Sequence, residues 1–479
     1  MLFHSLQFLL FLPLVLLLYW AVARHATTRK VVLVVASLIF YMAWNPAPVL
    51  LLLYLTLVDW AVGRALAVVQ QPGARQAVLM VSIANNLLLL GLFKYADWLT
   101  RLVCDAAAHV GVTLVYHPLG LLLPVGLSFI VFQGMSYTID VYRRDLTARE
   151  SLLDVAVFMT FFPHVVAGPI VRASDFLPQV QLRPSITNDI GARAIFRIVL
   201  GMVKKLVIAD TLNANIVDRV FADPGNHSGL EVSVGVVAYT FQIYYDFSAY
   251  SDIAIGTAAL FGYVLKENFD KPYLSPNLFE FWRRWHMSLG SWLRDYLYIP
   301  LGGNRGTHAR MLFNLMVTMI LGGVWHGADG RFVFWGVAHG VGLSFTRLWW
   351  WRFGRNKNPT RAHTIFCTVL TFILVVQFRI LFRAKDLEHG LQVFMAQTQH
   401  WSTLSTLSTL SAPSLSPLVL GVLAAAMVGH LLTHEFYTRC AERFVRAPVL
   451  ARVLLLVATT VLIQQVATSE AQPFIYFKF

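Results

Sequence analysis

Histidines and arginines gathered into one passage of an otherwise apolar chain are the groups here with chemical potential. Between Phe279 and Gly340 the chain reads Phe279-Glu280-Phe281-Trp282-Arg283-Arg284-Trp285-His286, then Leu293-Arg294-Asp295-Tyr296-Leu297-Tyr298, then Trp325-His326-Gly327 and Trp335-Gly336-Val337-Ala338-His339-Gly340. Ionisable groups at membrane depth are costly and mark function by default. His326 ends an apolar run broken by Gly322-Gly323, and paired glycines permit close helix approach or bending. A neutral imidazole in such a place is suited to general-base work. His339, on the following helix, reads as a hydrogen-bonded packing histidine, with a position near His326 as the other reading.

The elements that must hold these groups are membrane helices. Of 479 residues, 57% are hydrophobic and 13% charged, against about 25% charged in a soluble protein, and mean hydropathy is +0.61. A span needs roughly 20 apolar residues, and such windows recur along the chain. The expectation is an all-α polytopic membrane protein with about eleven or twelve spans plus re-entrant and interfacial helices, forming one domain over 1–479. Residues 402–417, with a threefold Ser-Thr-Leu repeat, read as an external linker.

The net charge of +13 does not indicate nucleic acid. The basic residues lie in short loops between apolar runs, where Lys/Arg excess marks the cytoplasmic side and faces anionic membrane lipids. Arg352, Arg355, Lys357 and Arg361 form one such loop. Cys104, Cys367 and Cys440 lack metal-site spacing; there is no HExxH and no G-x-S-x-G elbow, so neither a zinc site nor a serine hydrolase is indicated.

Three further features follow from spacing. At 100° per residue Phe281, Trp285, Leu289, Trp292, Leu293 and Tyr296 share one face of a helix, with Arg283, Arg284 and Arg294 opposite. This predicts a single interfacial amphipathic helix with His286 on its edge, either facing a cavity or at the interface. Leu153–Val171 contains Pro163, Gly168 and Pro169, predicting a broken segment with His164 packed at the break. Asp246 and Asp252, inside Val232–Tyr263, need basic partners, and a structural ion pair is the favoured reading.

Several blocks resemble the membrane-bound O-acyltransferase superfamily, and within it the bacterial alginate O-acetyltransferase branch. They are Phe162-Pro163-His164, Ala167-Gly168-Pro169, Lys204-Lys205, Tyr245-Asp246-Phe247-Ser248, Asn268-Phe269, Phe281–His286, Arg294–Tyr298, Trp325-His326-Gly327, Trp335-Gly336, His339-Gly340 and Phe382-Arg383-Ala384. The resemblance implies a helical bundle around a central tunnel, with His326 catalytic and His286 lining the cytoplasmic approach. It places Trp325, Gly327, His339, Arg284, Arg294, Asp295, Tyr296 and Asp246 along the tunnel or in support, with no metal and no permanent cofactor. It also implies acetyl-CoA as donor, a multi-pass position in the bacterial inner membrane, and O-acetylation of an exported polysaccharide such as alginate. Periplasmic or membrane-anchored polysaccharide acetylation proteins would be its partners. The alternatives are transfer to cellulose, peptidoglycan or another surface acceptor, or a transporter or translocase of a polysaccharide precursor. Against transport, no second copy of the aromatic–histidine block is present.

Overall fold

A computed structural model describes residues 1–3, 5–149, 151–356, 358–399, 413–466 and 474. Among these, helix alternates with turns and irregular chain, and no strand is present. Three helices are long and apolar enough to cross a membrane: Pro48–Val68, Pro72–His109 and Arg361–Arg383. Pro417–Leu431 and His434–Arg446, meeting at 97°, make a fourth if taken as one span. The all-α membrane architecture is as expected. These helices are the ones among the described residues that meet that length and apolarity; other apolar runs of the expected bundle fold as shorter helices, such as Leu152–Thr160. Of the expected linker, residues 402–412 lie outside the described residues. Beyond them Pro413–Leu415 makes a 3-10 turn, and Ser416 caps Pro417–Leu431 through the Val419 amide.

The chain packs as two compact units, residues 1–194 with 254–266, and residues 195–253 with 267–479. The first is held by buried polar groups. The Arg29 guanidinium donates to the carbonyls of Ala23, Val180 and Leu182, and the Asp59 carboxylate accepts from Ser82 Oγ at 2.7 Å and Asn86 Nδ2 at 2.9 Å. The chain breaks after Thr160, as the prolines and glycine demand. His164 is fully buried there, its Nε2 donating to the Phe158 carbonyl at 2.9 Å.

The second unit carries the candidate chemistry. Its frame is the helical hairpin His308–His326 and Gly330–Phe353, on which Arg361–Arg383 packs. Each helix starts where a side-chain oxygen takes an orphan amide: Thr307 from Arg310, Asp329 from Arg331, Thr360 from His363. The hairpin closes on glycine. A Cβ at Gly336 would stand 2.5 Å from the Met319 carbonyl oxygen and 2.9 Å from Ile320 Cα, and one at Gly340 2.6 Å from Met316 Sδ. Gly421, in Pro417–Leu431, has open space. Gly336→Ala is therefore expected to destabilise by about 1–3 kcal/mol through overpacking. Gly421→Ala should be neutral or stabilise by up to ~1 kcal/mol. Paired thermal melts in detergent check the opposite signs.

Wider turns interrupt the helices at Val203–Ala209, Asn213–Val217 and Arg294–Tyr298, where hydrogen bonding has π geometry. Such π segments accommodate one extra residue within a helix and recur at functional sites.

Candidate active site

His326 is the last residue of its helix and Gly327 leaves it in extended conformation. The histidine is 4% exposed, packed edge-on against Trp325 at 4.9 Å, Trp335 at 5.2 Å and Phe382 at 5.0 Å between ring centroids. Each neighbour comes from a different part of the frame: its own helix, the returning arm, and the end of Arg361–Arg383. An imidazole so enclosed is fixed in orientation. Gly327 has a sequence-local reason to be glycine, since a Cβ there would run into the Phe332 ring.

His286 differs from expectation. The predicted amphipathic helix is two short helices, Leu278–Arg284 and Met287–Leu293, joined by Trp285 and by His286 in the left-handed region at φ 45°, ψ 54°. The face pattern survives: Phe281, Trp285, Leu289, Trp292 and Leu293 are buried while Arg283 and Arg294 are exposed. The continuous helix does not, because Asn268 pins the turn. Its carbonyl accepts the Met287 amide at 2.9 Å. Its side-chain oxygen accepts from the Ser288 amide at 3.2 Å, Ser288 Oγ at 2.9 Å and His286 Nδ1 at 3.2 Å, while its Nδ2 donates to Ser251 Oγ at 3.2 Å. His286 is thus fully buried rather than on an interfacial edge, and is held as the tautomer with its proton on Nδ1. A non-glycine residue at positive φ costs of order 1 kcal/mol and persists only where its surroundings enforce it. Asn268→Ala removes the side-chain anchors, leaving the carbonyl bond to Met287, and is expected to cost about 1–3 kcal/mol for the donors it orphans, read as a lowered melting temperature.

The two histidines are linked by one ring. The Trp325 indole lies 6.2 Å from His286 and 4.9 Å from His326, centroid to centroid. Phe247 closes on the far side of His286 at 4.7 Å. His339 lies in the same aromatic cluster, 4.7 Å from Trp335, accepting at Nδ1 from Trp282 Nε1 at 3.3 Å. It is buried and hydrogen-bonded, matching the packing reading.

The remaining residues separate by depth. Asp246 is fully buried and ion-paired to Lys205 at 2.6 Å, with Asp210 on the same ammonium at 2.8 Å. Asp252 pairs with Lys204 at 2.6 Å and Arg197 at 2.9 Å. Both are the ion pairs expected for this helix. Arg294 and Asp295 pair with each other at 2.6 Å, the arginine being exposed; Tyr296 packs beside Trp292 at 5.1 Å. Arg284 is half-buried and its carbonyl accepts the Asp270 amide. Arg355 reaches from the basic loop to Glu280 at 3.7 Å, and Phe279 stacks on Trp350 at 5.2 Å. The aromatic–basic segment and the basic loop thus meet at one end of the hairpin.

Two residues went unremarked in the sequence as site groups. Asn268 stands 18 residues before its partner His286, and the Asn268-Phe269 block, though part of the family resemblance, does not point to that partner. Arg379, 2% exposed inside an apolar span, lies with its guanidinium carbon 3.9 Å from the Trp285 ring centroid and 5.8 Å from that of Phe382. A lone arginine deep in an apolar run was the available signal.

The profile of the membrane-bound O-acyltransferase family matches residues 116–383. The chain is 39% identical to the probable alginate O-acetylase AlgI of Pseudomonas aeruginosa, over 92% of this chain and 83% of that protein. It is 37% identical to the protein of the same name in Pseudomonas putida over the whole of both chains. It is also 33% identical to the peptidoglycan O-acetyltransferase of Helicobacter pylori, over 80% of this chain and 77% of that one.

Proposed function

The chain belongs to the membrane-bound O-acyltransferase family, and from that premise we propose that it moves acetyl from a cytoplasmic thioester to an exported polysaccharide. It is a membrane O-acyltransferase of the alginate O-acetylase branch. The finer reading is that acetyl-CoA is the donor, alginate or a related polymer the acceptor, and the bacterial inner membrane the site. The observation that carries it is the enclosure of His326, a single imidazole fixed by three aromatic rings at the turn of a glycine-closed hairpin.

His326 takes the proton of the attacking hydroxyl, and the freed oxygen bonds to the thioester carbonyl carbon. The carbon–sulfur bond then breaks, and the thiolate leaves with the proton returned from the imidazolium. No covalent acyl-enzyme is needed. General-base assistance of this kind is worth about 10²–10⁴-fold. The exposed Arg283, Arg294, Arg305, Arg352, Arg355 and Arg361 give the expected cytoplasmic end a positive field that draws a coenzyme's phosphates. His286, buried behind Trp325, supports the approach to His326, and Asp246 acts through the scaffold. External acetylation proteins would receive the group or finish its transfer.

The test is turnover by the purified full-length protein in nanodiscs, supplied with acetyl-CoA and an acceptor oligosaccharide. Thiol release matched by acetate esterified to the acceptor is the expected result. Stoichiometric uptake without thiol release would instead make it a transporter.

A further inference from the structure

Among the buried hydrogen-bond donors of the second unit that lack an acceptor in its described groups, three bear on the surroundings of His326. They are Arg379 Nε, the Tyr239 hydroxyl and Trp335 Nε1, on residues 2%, 0% and 1% exposed. Buried donors are normally satisfied, and three left over in one neighbourhood call for an explanation. They share that neighbourhood with His326. Trp335 lies 5.2 Å from the imidazole and 5.5 Å from Phe382, the ring that also touches His326 at 5.0 Å. Arg379 stands one helical turn before Phe382, its guanidinium 5.8 Å from that ring. The Tyr239 ring packs on Phe221 at 5.5 Å, and the guanidinium of Arg383, the neighbour of Phe382, lies 5.7 Å from that same Phe221 ring.

Arg379 is also unusual in its partners. No described carboxylate pairs with it; the guanidinium lies over the Trp285 ring at 3.9 Å, against which Tyr273 packs at 6.1 Å with its hydroxyl donating to the Thr240 carbonyl at 2.6 Å. A buried cation held by aromatic rings is costly unless it meets negative charge. The other charges nearby are already engaged: Arg383 with Asp218 at 2.5 Å and Arg331 with Asp329 at 3.7 Å. Fixed donors in a water-poor site, aimed where charge develops, are what acyl transfer requires.

We propose that Arg379, Tyr239 and Trp335 form an oxyanion hole beside His326, donating to the acyl oxygen as it becomes negative. The inference rests on the acyl-transfer reading above. When the acceptor oxygen bonds to the carbonyl carbon, the carbonyl electron pair moves onto oxygen and is held by these donors. When that pair returns, the carbon–sulfur bond breaks and the thiol leaves. Before and after the step the donors face neutral carbonyls, so their effect falls on kcat rather than on KM.

The experiment compares wild type, Tyr239→Phe, Arg379→Gln and Arg379→Lys as full-length protein in nanodiscs, with thiol release from acetyl-CoA and thermal melts measured in parallel. Losing one oxyanion donor lowers kcat by about 10²–10³-fold. Tyr239→Phe should fall in that range with KM unchanged and with a melting temperature equal to or above wild type, because it deletes an unsatisfied buried hydroxyl. A structural tyrosine would lose stability instead. Arg379→Lys, which keeps the charge, should recover at least tenfold over Arg379→Gln. Wild-type kcat in Tyr239→Phe, or activity losses that track lowered melting temperatures, overturn the oxyanion hole and leave the acyltransferase reading intact. Absence of thiol release by the wild type overturns both.

Discussion

His326→Ala is expected to lower acetyl transfer by about 10²–10⁴-fold, the range of general-base assistance, while the protein still inserts and folds. The side chain touches its neighbours through ring edges at 4.9–5.2 Å, and it follows the last turn of its helix rather than supporting one. Its loss leaves a cavity lined by Trp325, Trp335 and Phe382, which costs stability but not topology. Thiol release and polymer acetate content measure the activity, and a monodisperse elution profile with unchanged helical circular dichroism reports the fold. His326→Gln separates the two effects further, since the amide fills the site without serving as a base at neutral pH. Polymer acetate at the wild-type level in either variant would remove His326 from the catalytic role.

The second large effect concerns stability. Lys205→Met is expected to destabilise the protein by about 3–5 kcal/mol, the cost of breaking a buried ion pair by removing one partner. The Lys205 ammonium is 1% exposed and lies 2.6 Å from Asp246 and 2.8 Å from Asp210. Without it, two carboxylates are left close together in a buried place. Adding Asp246→Asn to Lys205→Met removes one of those charges and should restore part of the loss, a coupling visible in a double-mutant cycle of melts. Additive losses in the cycle would show that the two groups act independently. Activity in this series should follow the amount of folded protein, because Asp246 acts through its ion pair with Lys205.

How much of this could be read from residue order depends on the range of the interactions concerned. The hairpin around His326 was legible, because apolar runs, a glycine pair and the Trp325-His326-Gly327 block are local. The broken segment at Pro163 and Gly168 was legible for the same reason, and so was the need of Asp246 and Asp252 for basic partners. The kink at His286 was not. Helical periodicity averages through one left-handed residue, so the faces of Leu278–Arg284 and Met287–Leu293 read as one helix although the chain turns between them. What enforces that turn is Asn268, a short polar side chain 18 residues away whose type says nothing of its target. Arg379 was hidden differently: its guanidinium is accommodated by Trp285 and Tyr273, which lie more than 90 positions earlier in the chain.

The π segment at Val203–Ala209 has a consequence for chain length. It carries adjacent lysines that serve different carboxylates, Lys204 with Asp252 and Lys205 with Asp246, although those carboxylates stand six residues apart on one helix. A regular α-helix turns 100° between neighbours; here the wider turn sets where each ammonium falls. The segment therefore works as a ruler read in charge. Losing or gaining one residue there would force a choice of which carboxylate goes unpaired. Tolerance for insertions belongs instead to exposed polar loop tips, where no buried partner fixes the register.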